Sequence, residues 1–301
     1  MMKRFLCLLL SCCLCCAAAS AAVPDPISTV EYGSLADPPA GVYRYLMACF
    51  DTWDFQSSNL GNTDGVILVT LDTVQQRVIF ASVMREILIQ RPDGNPGRIT
   101  YVAKNYGPEA LCQVVSTHFG VKVDKYLFFN MDNVQKMIDA LGGVHITVTD
   151  AEAAYLNRYR IARDATTPSM DKAGTYLFTG HAAVIYMRIR KVGTGGDVGR
   201  NERMRTVLET LVRENADLTL SDAMNVSVAL TDNICLTNLS MNELMVAVSA
   251  AYHLRGVEPE GFQLPVSAAL RPISYAGMAT NQVDFALCRS ELLAFLTARP
   301  Q

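Results

Sequence analysis

The chain has 301 residues, with 26 Lys and Arg against 29 Asp and Glu, a formal net charge of −3 and a half-hydrophobic composition. That length suits one large domain with a full core, or two domains. The acidic balance leaves one small basic island, well short of the footprint nucleic acid needs, so nucleic acid is excluded as a partner.

The chain opens with Lys3 and Arg4 ahead of an uncharged run from Phe5 to Pro24, and no further Lys or Arg occurs before Arg44. The run has the layout of a secretory signal and is just long enough to span a bilayer, so residues 1–24 read as a cleaved signal or a retained anchor. The charge asymmetry places the rest of the chain outside, at the outer face of the cytoplasmic membrane or secreted to the wall. Residues 25–40 are rich in Pro and Ala and read as a linker.

Residues 42–50, 65–71 and 77–84 are β-branched and aromatic-rich, which predicts three strands, the last two joined by the polar turn DTVQQ. The spacing predicts a helix over 108–120, started by Pro108 and stopped by Gly120, and another over 132–143 closed by glycine. Residues 126–129 and 144–148 read as strands. For TGHAAVIYMRIR, the Thr179 cap and the 182/185/186/189 spacing favour a helix, while alternation over 185–190 favours a strand. From Arg200 onward, Met204, Val207, Leu208 and Leu211 recur at helical spacing. The segments after 215 read as further helices. Strands interleaved with helices imply an α/β fold, an α-β-α sandwich around a central mixed β-sheet.

This order of elements brings chemistry together. Asp51 ends the first strand and Asp64 precedes the second, so an antiparallel pair puts both carboxylates at one mouth of the sheet. The hairpin then returns the third strand to that mouth with Arg85. Taken singly, the three residues also fit a strand end, an Asp-Gly turn and a solvated arginine.

Residues 186–205 carry six basic side chains (Arg188, Arg190, Lys191, Arg200, Arg203, Arg205) against Asp197 and Glu202, a net +4 in a chain of −3. Arg200 falls on the apolar stripe of its helix and Arg203 to one side. Both are expected in the first turn, where the macrodipole disfavours cations by roughly 0.3–1 kcal/mol each. Cations facing inward there call for an anion. Arg188 and Arg190 would sit near a helix C-terminus, where cations are welcome anyway. VGTGGDVG lacks the GK[ST] ending of a phosphate-binding P-loop. Four cysteines follow the leader (Cys49, Cys112, Cys235, Cys288), without metal spacing and with pairing left open. The four scattered histidines make a zinc site improbable.

The ordered segments NTDGVILVTLD, VIFASVMRE, ITYVAKNYGPEALCQVV, FGVKVDKYLFFNMDNVQKMIDALGGVHITV, AGTYLFTGHAAVIYMRIR and DVGRNERMRTVL resemble the LytR-CpsA-Psr family of bacterial cell-wall enzymes. The resemblance runs from about residue 42 onward and thins after 215, implying a single large catalytic domain over 41–301. It implies a membrane-associated phosphotransferase. Such an enzyme moves a glycopolymer from a polyprenyl-pyrophosphate carrier, held in an apolar tunnel, onto a peptidoglycan acceptor. By position, Asp51 and Asp64 match the family's Mg²⁺-binding acids. Arg85, Arg188, Arg190 and Arg200 match its pyrophosphate-contacting arginines, with Arg203 in the matching helix, and Asp197 matches an acid of the same motif. Asp64 or Asp197 would activate the acceptor hydroxyl.

The chain departs from the family pattern at Asn62, where an arginine is usual, at Glu86 for aspartate and at Met204 for glutamine. Losing one charge-assisted phosphate donor costs about 1.5–3 kcal/mol. A divergent enzyme is therefore the leading expectation. The alternatives are a non-catalytic relative that binds the carrier or glycan as scaffold or regulator, and an exported anion-binding module with no lipid role.

Overall fold

The computed structural model describes residues 25–56, 59–158, 170, 172–193 and 195–298; the expected leader, 1–24, lies outside the described residues. β1 (Val42–Phe50) pairs antiparallel with β2 (Thr63–Asp72), and β2 with β3 (Arg77–Val83). β1 turns Leu46, Ala48 and Phe50 to one face and Tyr45 and Met47 to the other. β2 and β3 are covered on both faces, which is why they read as near-continuous apolar runs. A hairpin of β4 (Leu88–Gln90) and β5 (Pro96–Arg98) leads to α1 (Val102–Tyr106) and α2 (Pro108–Phe119). β6 (Tyr126–Phe129) then lies parallel beside β1. Asn130 caps α3 (Met131–Ala140) by accepting from the Asn133 N–H. There follow β7 (Val144–Val148), α4 (Asp150–Arg158), β8 (Gly174–Phe178), α5 (Gly180–Met187) and α6 (Gly196–Glu214). The chain continues through α7 (Leu220–Asp232), β9 (Leu236–Thr237), α8 (Met241–His253) and β10 (Pro259–Leu264). It ends in the hairpin β11 (Leu270–Tyr275) and β12 (Met278–Val283), then α9 (Phe285–Thr297).

The central sheet runs β10-β3-β2-β1-β6-β9 and mixes parallel with antiparallel pairs. Phe119 of α2 and Phe285 and Leu292 of α9 cover one face; Leu208 and Val212 of α6 and Ala250 of α8 cover the other. This is the expected α-β-α sandwich. Each fully buried phenylalanine in it, such as Phe50 or Phe128, contributes about 1.5–3 kcal/mol. A further cluster joins Ile138, Ile146, Ala153, Phe178 and Ala182, and thus α3, β7, α4, β8 and α5, beside α6.

The structure departs from the sequence reading in four places. Residues 144–148 form a strand, but β7 pairs with β8 in its own hairpin outside the central sheet. The region after 215 supplies strands as well as helices, including edge strand β10, where Pro259 at the first position needs no ladder donor. The expected linker is strapped to the body: Ile27 packs on the core, Val30 N–H donates to Thr117 O (2.9 Å) and Ser28 accepts from Arg289. Finally, α6 begins at Gly196, so Asp197 occupies its first turn while Arg200 and Arg203 lie farther in. The macrodipole argument therefore applies to Asp197, and favourably.

All four cysteines after the leader are free. Cys49 of β1 lies opposite Phe129 of β6, and Cys235 N–H donates to Phe128 O on the other side of that strand. Two strand spacings, about 10 Å, separate the two cysteines, beyond the roughly 7 Å Cα limit of a disulfide.

Two buried ionisable groups tie elements together. Arg203, 5% exposed, donates from Nε to Glu152 of α4 (2.8 Å) and from Nη1 and Nη2 to the carbonyls of Ile189 and Val192 (3.1 and 2.7 Å). His118 Nε2 accepts from Gln90 N–H (3.0 Å), so Nδ1 carries the proton and donates to Val114 O (2.7 Å). Burial pushes the His118 pKa down to about 4, with Arg289 adding to the effect. A depressed folded pKa contributes stability that is present above the unfolded value and lost as pH falls through the folded one. Urea unfolding should therefore show about 3 kcal/mol lost between pH 6.5 and 4, and His118→Gln should flatten that limb; an unchanged acid limb would contradict the buried neutral imidazole. Arg203→Leu strands the Glu152 carboxylate and should lower unfolding stability by about 3–5 kcal/mol. A loss under 1 kcal/mol would mean that water already solvates the pair.

Candidate active site

The register of β1 and β2 builds the base of the site. Phe50 lies opposite Thr63 after a bulge at Cys49/Phe50, and Asp51 N–H donates to Asn62 O (2.9 Å). Asp51 and Asp64 thus flank the open end of the sheet. The return turn passes through Gly61 at φ 72°, where a Cβ would stand 2.9 Å from Asp51 Oδ1, so the turn needs glycine. Asn62 holds Asp51 at two points: its N–H donates to Oδ1 (2.8 Å) and its Nδ2 to Oδ2 (3.0 Å). The residue standing in place of the usual arginine is thus a carboxylate-orienting amide.

Arg85 follows β3 and its Nη1 hydrogen-bonds Asp64 Oδ1. Arg200 reaches the same oxygen from α6 (Nη1, 3.2 Å), and Arg188, the C-cap of α5, faces Oδ2 at 3.8 Å. Behind them lies Asp197, 6% exposed, with Oδ1 at 3.0 Å from Arg200 Nη2, 3.6 Å from Arg190 Nη2 and 3.7 Å from Arg85 Nε. Arg190 in turn donates to Glu86 Oε1 (2.7 Å), which also pairs with Arg85 Nη2 (3.4 Å). Four guanidinium groups from three parts of the chain therefore meet three carboxylates. They open onto a pocket of about 420 Å³ lined by Asp51, Asp64, Arg85, Tyr155, Ile185, Arg188, Arg190 and Arg200.

These charges are under-satisfied. Arg85 Nε, Arg200 Nε and Nη2 and both Asp197 oxygens are buried without a well-aligned hydrogen bond. Burial raises the Asp197 pKa, outweighing the opposing pull of Arg200, and burial lowers the Arg200 pKa, outweighing Asp197 and Asp64. Arg188 and Arg190 remain half-exposed at the pocket, where their N–H groups can donate to an incoming anion.

The structure thus brings Asp51, Asp64, Arg85, Arg188, Arg190 and Arg200 to one pocket, with Asp197 immediately behind it. Arg203 is not brought to the pocket: it points at Glu152 and two carbonyls and serves as a clasp between α6 and α4. Glu86, Tyr155 and Ile185 were missed as site residues. The capping-box signature Thr149-x-x-Glu152, formed by reciprocal hydrogen bonds (3.0 and 3.3 Å), marks α4 and hence Tyr155. Glu86 stands out in the sequence only as a departure from the family pattern, since nothing local shows that it faces Arg190.

No group of three or more His, Cys, Asp or Glu placed to hold a metal occurs among the described residues. Mg²⁺ needs fewer protein ligands, because it is bound through one or two carboxylates and otherwise keeps water and phosphate oxygens. Asp51 and Asp64 meet that requirement: they line one pocket, and the arginine hydrogen bonds to Asp64 fall on Oδ1 while Oδ2 faces Arg188 at 3.8 Å.

Comparison with known proteins identifies the family and the fold. The sequence model of the LytR_cpsA_psr family matches residues 45–286. A relative from Oceanobacillus iheyensis, named polyisoprenyl-teichoic acid–peptidoglycan teichoic acid transferase TagU, is 26% identical over 202 residues, 65% of this chain and 59% of that protein. Among solved structures, protein gbs0355 from Streptococcus agalactiae aligns with a TM-score of 0.68 at 20% identity, covering 86% of this chain and 90% of its own. A structure described as TagT bound to LI-WTA aligns with a TM-score of 0.67 at 18% identity, covering 91% and 95%. With the family match spanning most of the described body, the chain belongs to the LytR_cpsA_psr family.

Proposed function

We propose that this protein transfers a teichoic-acid-like glycopolymer from a polyisoprenyl-pyrophosphate carrier to peptidoglycan, outside the cytoplasmic membrane. The observation that carries the reading is the meeting of Arg85, Arg188, Arg190 and Arg200 at the pocket that also holds Asp51 and Asp64. The name of the Oceanobacillus relative supports the substrate class. No helix among the described residues is long and apolar enough to cross a membrane.

In this reading the four arginines grip the diphosphate and offset the charge that develops as the phosphoryl group moves. Asp51 and Asp64 would hold Mg²⁺, which when bound would offset negative charge on the phosphate oxygens. The acceptor hydroxyl oxygen attacks the phosphorus that bears the glycopolymer and forms a phosphodiester. The bond to the bridging oxygen breaks, and polyisoprenyl monophosphate leaves. In this reading Asp64, which lines the pocket, takes the hydroxyl proton, and Asp197, paired with Arg200 behind it, holds the arginines in place.

The test is release of polyisoprenyl monophosphate by the purified protein from a polyisoprenyl-pyrophosphate-linked sugar, with Mg²⁺ or with EDTA. Turnover should need Mg²⁺ and fall about 100-fold or more in Arg85→Ala. Binding of the lipid without release under either condition would replace the enzyme with a carrier-binding relative.

A further inference from the structure

Trp53 is the only tryptophan in the chain, and 40% of its surface is exposed. It stands two residues after Asp51, in the segment that leads away from the pocket. Its backbone is fixed on both sides: Asn130 Nδ2 donates to Trp53 O (2.8 Å), and Met131 N–H donates to Thr52 O (3.0 Å). Its ring is braced against His181, with centroids 6.2 Å apart and planes 30° apart, and His181 Nδ1 is held by Gln135 Oε1 (2.8 Å).

This position continues the pocket wall. His181, Ile185 and Arg188 follow one another at i, i+4 and i+7 on α5 and so share a helix face. Ile185 and Arg188 line the pocket, and His181 backs the indole. Seven residues of helix rise span about 10 Å, the length of about two linked pyranose rings. A large aromatic face held rigid and left open beside a polar pocket is a ready contact surface. Its negative π face suits the C–H groups that one side of a pyranose presents. Asp51 and exposed Asp54 stand within two residues of it in the chain, giving the segment a negative charge that suits sugar hydroxyls and disfavours an anionic lipid surface.

We propose that Trp53, backed by His181, is a pyranose-stacking subsite for the glycan that passes through the arginine pocket. This rests on the transferase reading for the identity of the glycan. The ring comes from one of two sources, the sugar attached to the transferred diphosphate or a sugar of the acceptor. A sole tryptophan makes its emission a reporter of this one position.

The experiment titrates the full-length protein with a phosphate-free disaccharide of N-acetylglucosamine, with N-acetylglucosamine 1-diphosphate and with inorganic pyrophosphate, following Trp53 emission and calorimetry. A saturable change in emission with a sugar ligand is expected. Trp53→Ala should weaken that ligand about tenfold by calorimetry and Trp53→Phe should restore most of the affinity. A response to the diphosphate sugar that disappears in Arg200→Met identifies the donor glycan. A response to the phosphate-free disaccharide that survives Arg200→Met identifies the acceptor. Silence towards both sugars, or equal sugar affinity in folded Trp53→Ala, overturns the subsite. So does an emission shift caused by phosphatidylcholine vesicles and not by sugar, which would mark a membrane contact instead. Should inorganic pyrophosphate fail to bind, the arginine-pocket reading falls, and the sugar titrations still decide the subsite.

Discussion

The Asp64 carboxylate is where separate parts of the chain come to agree. It rides on β2, takes Arg85 from the end of β3 and Arg200 from α6, and faces Arg188 at the end of α5. Without it, four guanidinium groups would repel one another in a partly dry space where charges interact more strongly than in water. Asp197 and Glu86 extend the same compensation to Arg190. The carboxylates therefore act as internal counter-ions. They keep the arginines assembled while Arg188 and Arg190 stay open to the pocket. An anion entering the pocket would meet donors already in position and call for little reorganisation.

The three departures from the family pattern become local compensations in this setting. Asn62 carries no charge to a phosphate, but it fixes both oxygens of Asp51. Glu86 has one more methylene than aspartate and spans from Arg85 to Arg190. Met204 lies over Gly65, so close that a Cβ there would stand 2.9 Å from its Sδ. The thioether therefore seals the sheet beneath the site, where an amide would bring polar atoms needing partners.

The sequence exposed the core of this arrangement because its signals are periodic. Strands β1 to β3 are apolar runs bounded by turn residues, and α2 has Pro108 and Gly120 at its ends, so Asp51, Asp64 and Arg85 could be placed at one sheet end. The rest depends on contacts distant in sequence. PEGFQL, with Pro and Gly in six residues, carries no local strand signal and becomes β10 only by pairing with β3. Arg200 and Arg203 look alike in a basic run, yet one meets Asp64 and the other Glu152, a partner 51 residues away. Glycines on either side of the start of α6 hid its first turn, and with it the position of Asp197 inside the helix.

The free cysteines carry a consequence for how the chain reaches its folded form. Cys49 and Cys112 have pKa values pushed up to about 12 and Cys288 to about 11, so burial keeps these sulfurs as thiols. The thiolate is the species that attacks oxidants and disulfides, and here it is scarce. The described residues are held by apolar layers and ionic clasps, with no disulfide among them. Reaching this arrangement calls for no oxidant among the described residues, and the Cys49, Cys112 and Cys288 thiols offer little to one that is present.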